Sequence, residues 1–321
     1  MSSQLGIVTA AGLAILVLNP ACGPDAALKE GGTGGTGDGM AGRDAGGSPD
    51  AGGRTGHATG GAAAGGHAGT ASRGMGDAGV SGGAGGGLGA GGHAGSPPGL
   101  CANPTFTTSD TNGGWSNGGY YVHNNVWNAG EAGPETLYAC SFRDWYVKST
   151  QPDTTSVKAY PNVHLDINGL KGSPISNYAT ITSTFAATSP HLGIYDVAYD
   201  IWLDGVGWGR GTTEVMIWTE NYKQVPLGTV VRPQMTFSGG DYDVYHYTSS
   251  ADGGVQVVSL LSTTAQTSGA IDLKEILSWI ASKGWIGPNA TVNQIGYGVE
   301  ICSTKNQPAI FSFTDFSVTM K

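Results

Sequence analysis

Three acidic residues sit inside apolar, strand-like segments, where a charge is costly, and each shares a strand face with rings or glycines. The first lies in Thr213-Glu214-Val215-Met216-Ile217-Trp218-Thr219. Successive side chains of a strand point to opposite faces. Val215 and Ile217 therefore take one face, and Glu214, Met216 and Trp218 take the other. The first face is core material. The second carries a carboxylate, a thioether and an indole, a set that suits a groove whose rings stack on sugar faces. A carboxylate among rings needs a partner or a shifted pKa. The second acid lies in Ile295-Gly296-Tyr297-Gly298-Val299-Glu300-Ile301-Cys302, where Gly296, Gly298, Glu300 and Cys302 share one face. The glycines either leave a passage beside Glu300 or answer a backbone need, because glycine weakens strands. The third lies in Tyr199-Asp200-Ile201-Trp202-Leu203, with Asp200 and Trp202 on one side. A short Gly-rich connection, Gly205–Gly211, leads from there to the Glu214 strand. A hairpin would make Asp200 and Glu214 neighbours on one face, and close carboxyls must share a proton. Taken singly, each acid reads more simply as a solvated surface residue. Taken together, they supply the carboxyl pair that glycoside hydrolysis needs.

The bulk composition narrows the alternatives. The 321 residues carry 24 acids and 15 bases, a net charge of −9 with no basic run. Such a chain lacks the phosphate attraction that drives nucleic-acid binding, so nucleic acid is not an expected partner. The glycine strings lack the Lys-Ser/Thr ending of a phosphate loop. His57, His67 and His93 are irregularly spaced and have no cysteine beside them. They read as solvated linker residues, so neither a metal nor a cofactor is expected.

The elements that must position the acids occupy only part of the chain. Leu5–Leu18 is an apolar run of signal-peptide length, too short to span a bilayer comfortably. It leads to Asn19-Pro20-Ala21-Cys22-Gly23, where a small residue before cysteine resembles a bacterial lipoprotein cleavage site. Residues 1–22 are expected to be an export signal and Cys22 an acylation site, with plain secretion as the alternative. Residues 23–100 are Gly-loaded and nearly devoid of apolar bulk, so no core can offset the ordering entropy. They read as a tether. From Cys101 to Lys321 the composition turns to Trp, Tyr, Val, Ile and Thr, the strand-favouring set. Alternating segments between turn signals predict an all-β sandwich or barrel. These are Gly119–Trp127, Tyr178–Ala187, Leu192–Leu203, Thr213–Thr219, Asp243–Thr248, Val255–Leu261, Gly296–Cys302 and Ala309–Met320. One segment, Ile271–Ser282, places Leu273, Ile276, Leu277 and Ile280 at helical spacing. Asp272 and Glu275 form a start resembling a capping box, and Gly284 stops the helix.

In their order along residues 101–321 these segments resemble glycoside hydrolase family 12, the compact endoglucanases and xyloglucan-specific endoglucanases. Tyr121-Val122-His123-Asn124-Asn125-Val126-Trp127-Asn128 is similar to the family's Asn-Asn-x-Trp strand, and Ala159-Tyr160-Pro161-Asn162-Val163 to its Tyr-Pro-Asn segment. Tyr199–Trp202 and Glu214–Trp218 resemble its central strand pair. Pro226-Leu227-Gly228 resembles the loop that follows, and Gly298-Val299-Glu300 falls where the family places its acid/base. The resemblance implies a β-jelly-roll sandwich of two curved antiparallel sheets, with the predicted α-helix packed on it. It implies an endo-acting, retaining double displacement on a β-1,4-glucan, whether cellulose-like, mixed-linkage or xyloglucan. Glu214 would be the nucleophile, Glu300 the acid/base, and Asp200 the residue that tunes the nucleophile. The two glutamate carboxyls would then sit about 5–5.5 Å apart. Asn125 and Trp127, on one strand face, would bind sugar on the non-reducing side; Met216, Trp202 and Trp218 complete the implied substrate-binding set. Cys101 and Cys140 would be disulfide-bonded, leaving Cys302 free, and the protein would be a monomer.

The resemblance leaves two features unaccounted for. Trp208, in the unusual connection Gly205–Gly211, reads either as an added sugar platform or as a turn residue. Cys302 reads as a small buried strand residue. Three alternatives stay open: a non-catalytic carbohydrate-binding module, a related jelly-roll xylanase, and a structural surface lipoprotein. Fold alone does not choose among them.

Overall fold

The computed structural model describes residues 100–249 and 253–321. The expected export signal, Cys22 and residues 23–99 of the expected tether lie outside the described residues. Two sheets, of six and ten strands, face each other across one core. The smaller contains β1 (Phe106–Thr108), β4 (Glu135–Ala139), β5 (Trp145–Ser149), β16 (Ala309–Met320), β8 (Ile181–Thr188) and β14 (Ser268–Asp272), in that spatial order. The larger runs β11 (Thr229–Phe237), β12 (Gly240–Ser249), β13 (Val255–Ser262), β10 (Thr213–Tyr222), β9 (Ile194–Leu203), β15 (Thr291–Ser303), β6 (Asn162–Asp166), β3 (Tyr120–His123) and β2 (Gly114–Asn117). A short strand, β7 (Ser173–Pro174), pairs with β15 off this path. This is the expected sandwich, with one correction. β10 and β13 pair in parallel, so the larger sheet is not wholly antiparallel.

Alternation builds the core as predicted. Tyr199, Ile201 and Leu203 from β9, Val215 and Ile217 from β10, and Tyr297, Val299 and Ile301 from β15 are fully buried in it. The smaller sheet meets them with Phe185, Phe311, Phe313 and Phe316. Phe313 and Phe316 are an odd number of residues apart, so plain alternation would send one outward. A register shift between Phe313 and Asp315 restores Phe316 to the core face. Fully burying aromatic and branched side chains stabilises by about 1.5–3 kcal/mol each relative to exposure, so this two-sided layer dominates the fold's energetics.

The helix α1 (Leu273–Ser282) forms where the spacing placed it, and Leu273, Ile276, Leu277 and Ile280 enter the main core. The Asp272 carboxylate caps it by accepting from the Glu275 N–H at 3.0 Å. The reciprocal half of a capping box does not form, because Ser238 comes between the two residues. The Asp272 N–H donates to Ser238 Oγ at 2.8 Å, and the Glu275 carboxylate accepts from the Ser238 N–H at 3.1 Å. Gly284 ends the helix with φ +73°, as expected.

The Asn-Asn-x-Trp segment corrects a second expectation. β3 stops at His123, and Asn125 has φ +43°, which rules out continued strand alternation through Trp127. The buried Asn124 anchors the departure, its backbone N–H donating to Gly113 O and its side chain to Asp110 O. Asn125 is fixed by mutual bonds with Tyr160: Nδ2 to Tyr160 O at 3.2 Å and Tyr160 N–H to Asn125 O at 3.0 Å. Cys101 and Cys140 are disulfide-bonded, with Cα atoms 5.7 Å apart. The expectation of a free Cys302 is wrong, since no described cysteine is a free thiol.

Candidate active site

A cleft of about 910 Å³ crosses the face of the larger sheet turned away from the core. Strand parity sends the acids there. On β9 the even-numbered residues Asp196, Ala198, Asp200 and Trp202 leave the core side, and on β10 Glu214, Met216 and Trp218 do the same. The order β10-β9-β15 sets β9 between the two glutamate strands. Glu214 stands opposite Trp202 and Asp200 opposite Met216, so Asp200 and Glu214 are diagonal neighbours on the hairpin. On the other flank Asp196 stands directly opposite Glu300. β9 therefore presents one aspartate to each glutamate.

Strand parity could have revealed Asp196. It falls within the strand predicted at Leu192–Leu203 and shares the parity of Asp200, yet no ring or glycine beside it marks it out. Gln224 is a second residue the motifs did not reveal. It lies just past β10, is held by reciprocal bonds with Asn221, and donates from Nε2 to Glu300 Oε2 at 3.0 Å. Tyr160 is a third. Its buried hydroxyl lies within electrostatic reach of all four acids and donates to Ala198 O at 3.0 Å.

Donors are unevenly shared among the acids. Trp202 Nε1 donates to Asp200 Oδ2 at 2.9 Å, and Trp208 Nε1 donates to Glu214 Oε2 at 3.1 Å. Asp196 is fully buried, and neither of its oxygens receives a bond from any amide, hydroxyl or indole. Its polar partner is the Glu300 carboxyl, and two carboxyls bond only when one carries a proton. The same holds for Asp200 Oδ1, whose partner is the Glu214 carboxyl. Among the described residues no cation pairs with any of the four.

Burial is thus the main influence on their ionisation, and it raises every one of them. It pushes Asp200 up to about 7, against the bond from Trp202. It holds Glu214 well above the usual range, aided by Asp200 and Glu300 and opposed by Trp208. It raises Glu300, opposed by Asp196 and Gln224. Asp196 is held well above the usual range by burial and then by Glu300, with no opposing donor. With no cation beside them, these carboxyls hold their protons more tightly than solvated ones do, so the cleft can offer both a proton and a carboxylate to whatever lies in it.

The remaining expected binding residues also reach the cleft. Asn125 and Trp127 line it from the loop after β3, and Met216, Trp202 and Trp218 line it from the sheet. Met216 and Trp218 pack with Ala198 and Val257 into an apolar floor, against which Trp208, Leu227 and Tyr247 lean. Of the glycines beside Glu300, Gly298 serves the backbone, while a Cβ on Gly296 would meet only ordinary contacts, the nearest 3.4 Å away. A Cβ on Gly298 would fall 2.2 Å from Pro161 O and 2.7 Å from Asn162 Cβ, so the close approach of β6 requires glycine there.

Known proteins share this fold. The family model for glycosyl hydrolase family 12 matches residues 118–321. The xyloglucanase domain of NopAA, a type three effector from Sinorhizobium fredii solved in complex with cellobiose, is 32% identical. It superposes with a TM-score of 0.60, covering 68% of this chain and 100% of that one. A probable xyloglucan-specific endo-β-1,4-glucanase A of Aspergillus clavatus is 23% identical over 222 residues, 63% of this chain and 87% of its own length. An inactive glycoside hydrolase of Phytophthora nicotianae is 25% identical over 176 residues, 51% of this chain and 71% of its own. The matched span contains both glutamates, both aspartates and every cleft strand, and the chain belongs to glycosyl hydrolase family 12.

Proposed function

We propose that this protein cleaves internal linkages of a β-1,4-glucan with retention, using Glu214 as nucleophile and Glu300 as acid/base. The observation that carries the reading is the pair of half-buried glutamates set on either side of β9, each with its own aspartate, along a cleft lined with indoles. Glu214 attacks the anomeric carbon while Glu300 gives its proton to the departing glycosidic oxygen, so the C–O bond breaks and a glycosyl ester forms on Glu214. Water then enters. Glu300, now a carboxylate, takes its proton as the water oxygen attacks the anomeric carbon and Glu214 departs. Asp200 shares a proton with Glu214 in the free enzyme. Asn125, Trp127, Met216, Trp202 and Trp218 hold the sugar chain. Xyloglucan is the substrate that the names of the relatives favour.

Glu214→Gln is expected to abolish hydrolysis while the folded structure persists; undiminished release of reducing ends would refute the assignment. Products from xyloglucan, barley-type glucan and carboxymethylcellulose distinguish the substrates. The inactive relative motivates a second reading, sugar binding without turnover. Affinity for these glucans with no reducing ends released by the unmodified protein would establish it. Residues 1–22 are read as an export signal, with Cys22 either acylated or lost on secretion, and radiolabelled palmitate incorporation decides between the two. The catalytic domain is read as a monomer, which a sedimentation measurement tests.

A further inference from the structure

The connection between β9 and β10 reads Asp204-Gly205-Val206-Gly207-Trp208-Gly209-Arg210-Gly211. Gly205, Gly207 and Gly211 have φ of +135°, +81° and +79°, backbone that residues with side chains rarely adopt. The turn is closed at its far end by Thr212 Oγ1, which accepts from the Gly209 N–H and donates to the Gly209 carbonyl. This path folds Trp208 back over β10. Its ring leans on the Met216–Trp218 floor and lies 6.4 Å from the Tyr247 ring. An indole has a single donor, and a ring that only walled the cleft would have no reason to aim it. Here it meets Glu214 Oε2 at 3.1 Å.

The other titratable groups around Glu214 give it no comparable support. Asp196 and Asp200 face it from β9, Glu300 from β15 and Tyr160 from the segment before β6; none is a cation. We propose that Trp208 is a positioning residue for the nucleophile, its indole N–H fixing one oxygen of the Glu214 carboxylate and favouring the ionised form. The proposal rests on the reading of Glu214 as nucleophile. The bond supports the carboxylate that attacks, and it supports the same carboxylate when the glycosyl ester breaks and the electron pair returns to Glu214. Because three glycines carry the ring, it can hold this position without strain on β9 or β10.

Trp208→Phe keeps a ring against Tyr247 and removes the donor. A hydrogen bond to a charged group is commonly worth enough to move a pKa by about one unit. The acid limb of kcat/KM on a soluble β-glucan should therefore move up by about one pH unit. The rate of inactivation by a dinitrophenyl 2-deoxy-2-fluoro-cellobioside, which reads the nucleophile alone, should shift with it, while Tm stays near that of the unmodified protein. An unmoved acid limb overturns the proposal. A second measurement needs no change at Trp208: in ¹⁵N-indole NMR of the unmodified full chain, the Trp208 N–H resonance should titrate in step with the acid limb. It should stop doing so in Glu214→Gln, and a resonance indifferent to pH also overturns the proposal. If Glu214→Gln keeps full activity, the nucleophile reading itself fails. An unmoved limb in an enzyme that Glu214→Gln silences refutes only the role of Trp208.

Discussion

The two flanks of β9 hold the same ingredients and are finished differently. On the β10 flank, Asp200 and Glu214 each receive an indole N–H, from Trp202 and Trp208. On the β15 flank, Glu300 receives one amide N–H from Gln224, and Asp196 receives none. Burial raises all four acids, holding Glu214 and Asp196 well above the usual range, and the donors oppose it unevenly, with none at Asp196. A donor favours the charged carboxylate, and its absence favours the acid. By donors alone the β10 flank supports a negative charge better than the β15 flank, while burial and the neighbouring carboxyls still hold Glu214 well above the usual range. The proposed division of labour between nucleophile and general acid draws on this difference in neighbours, not on residue type.

The sharpest way to break this comparison is to remove the proton donor and vary the leaving group. Glu300→Gln should slow hydrolysis of an unactivated glucan by about 10²–10⁴-fold, the usual contribution of general acid–base catalysis. It should slow the first step much less on an aryl glycoside whose leaving group needs no proton. Glu214→Gln should lose both substrates. Steady-state and burst kinetics on the two substrates read this directly, and equal losses for the two variants on both would erase the distinction between the flanks.

A smaller effect tests the β15 flank itself. With Asp196 present, its proton supports the ionised Glu300 and opposes the rise that burial causes. In Asp196→Ala that support is lost. The apparent pKa of Glu300 should rise by about one unit, as followed by carboxyl ¹³C NMR. An unchanged titration would mean that Asp196 and Glu300 do not share a proton. On the β10 flank, Trp202→Phe removes the donor to Asp200, so the apparent pKa of Asp200, about 7, should move upward in the same measurement. A downward movement would contradict the account of the donors.

Much of this was legible because period-two alternation is a strong signal when one face is buried. Val215 and Ile217 against Glu214, Met216 and Trp218 needed no structure to sort, and Leu273, Ile276, Leu277 and Ile280 marked the helix equally well. What escaped was set by the backbone or by distant chain. Asn125 takes a left-handed conformation that breaks the strand before Trp127, a choice that depends on Tyr160, 35 residues on. Gly298 looked like an opening in the cleft but answers to the backbone of Pro161. The parallel partner of β10 is β13, which no local pattern encodes. Asp196 was visible by parity but silent by composition. Its importance comes from standing opposite Glu300, and register between strands about a hundred residues apart is a tertiary fact.

The smallest predicted effect serves as the control for the others. Asp272 lies at the start of α1, where its carboxylate accepts the Glu275 N–H and the helix feeds four side chains into the main core. Asp272→Ala should cost about 1 kcal/mol of stability through the lost cap, read as a lower denaturant midpoint with an unchanged slope. Because the helix packs on the core side of the sandwich and does not line the cleft, neither limb of the pH–rate profile should move. If a purely structural loss of that size displaced the acid limb as far as Trp208→Phe does, the limb would be reporting the looseness of the fold. The donors on the two flanks of β9 would then lose their claim to set which carboxyl carries the charge.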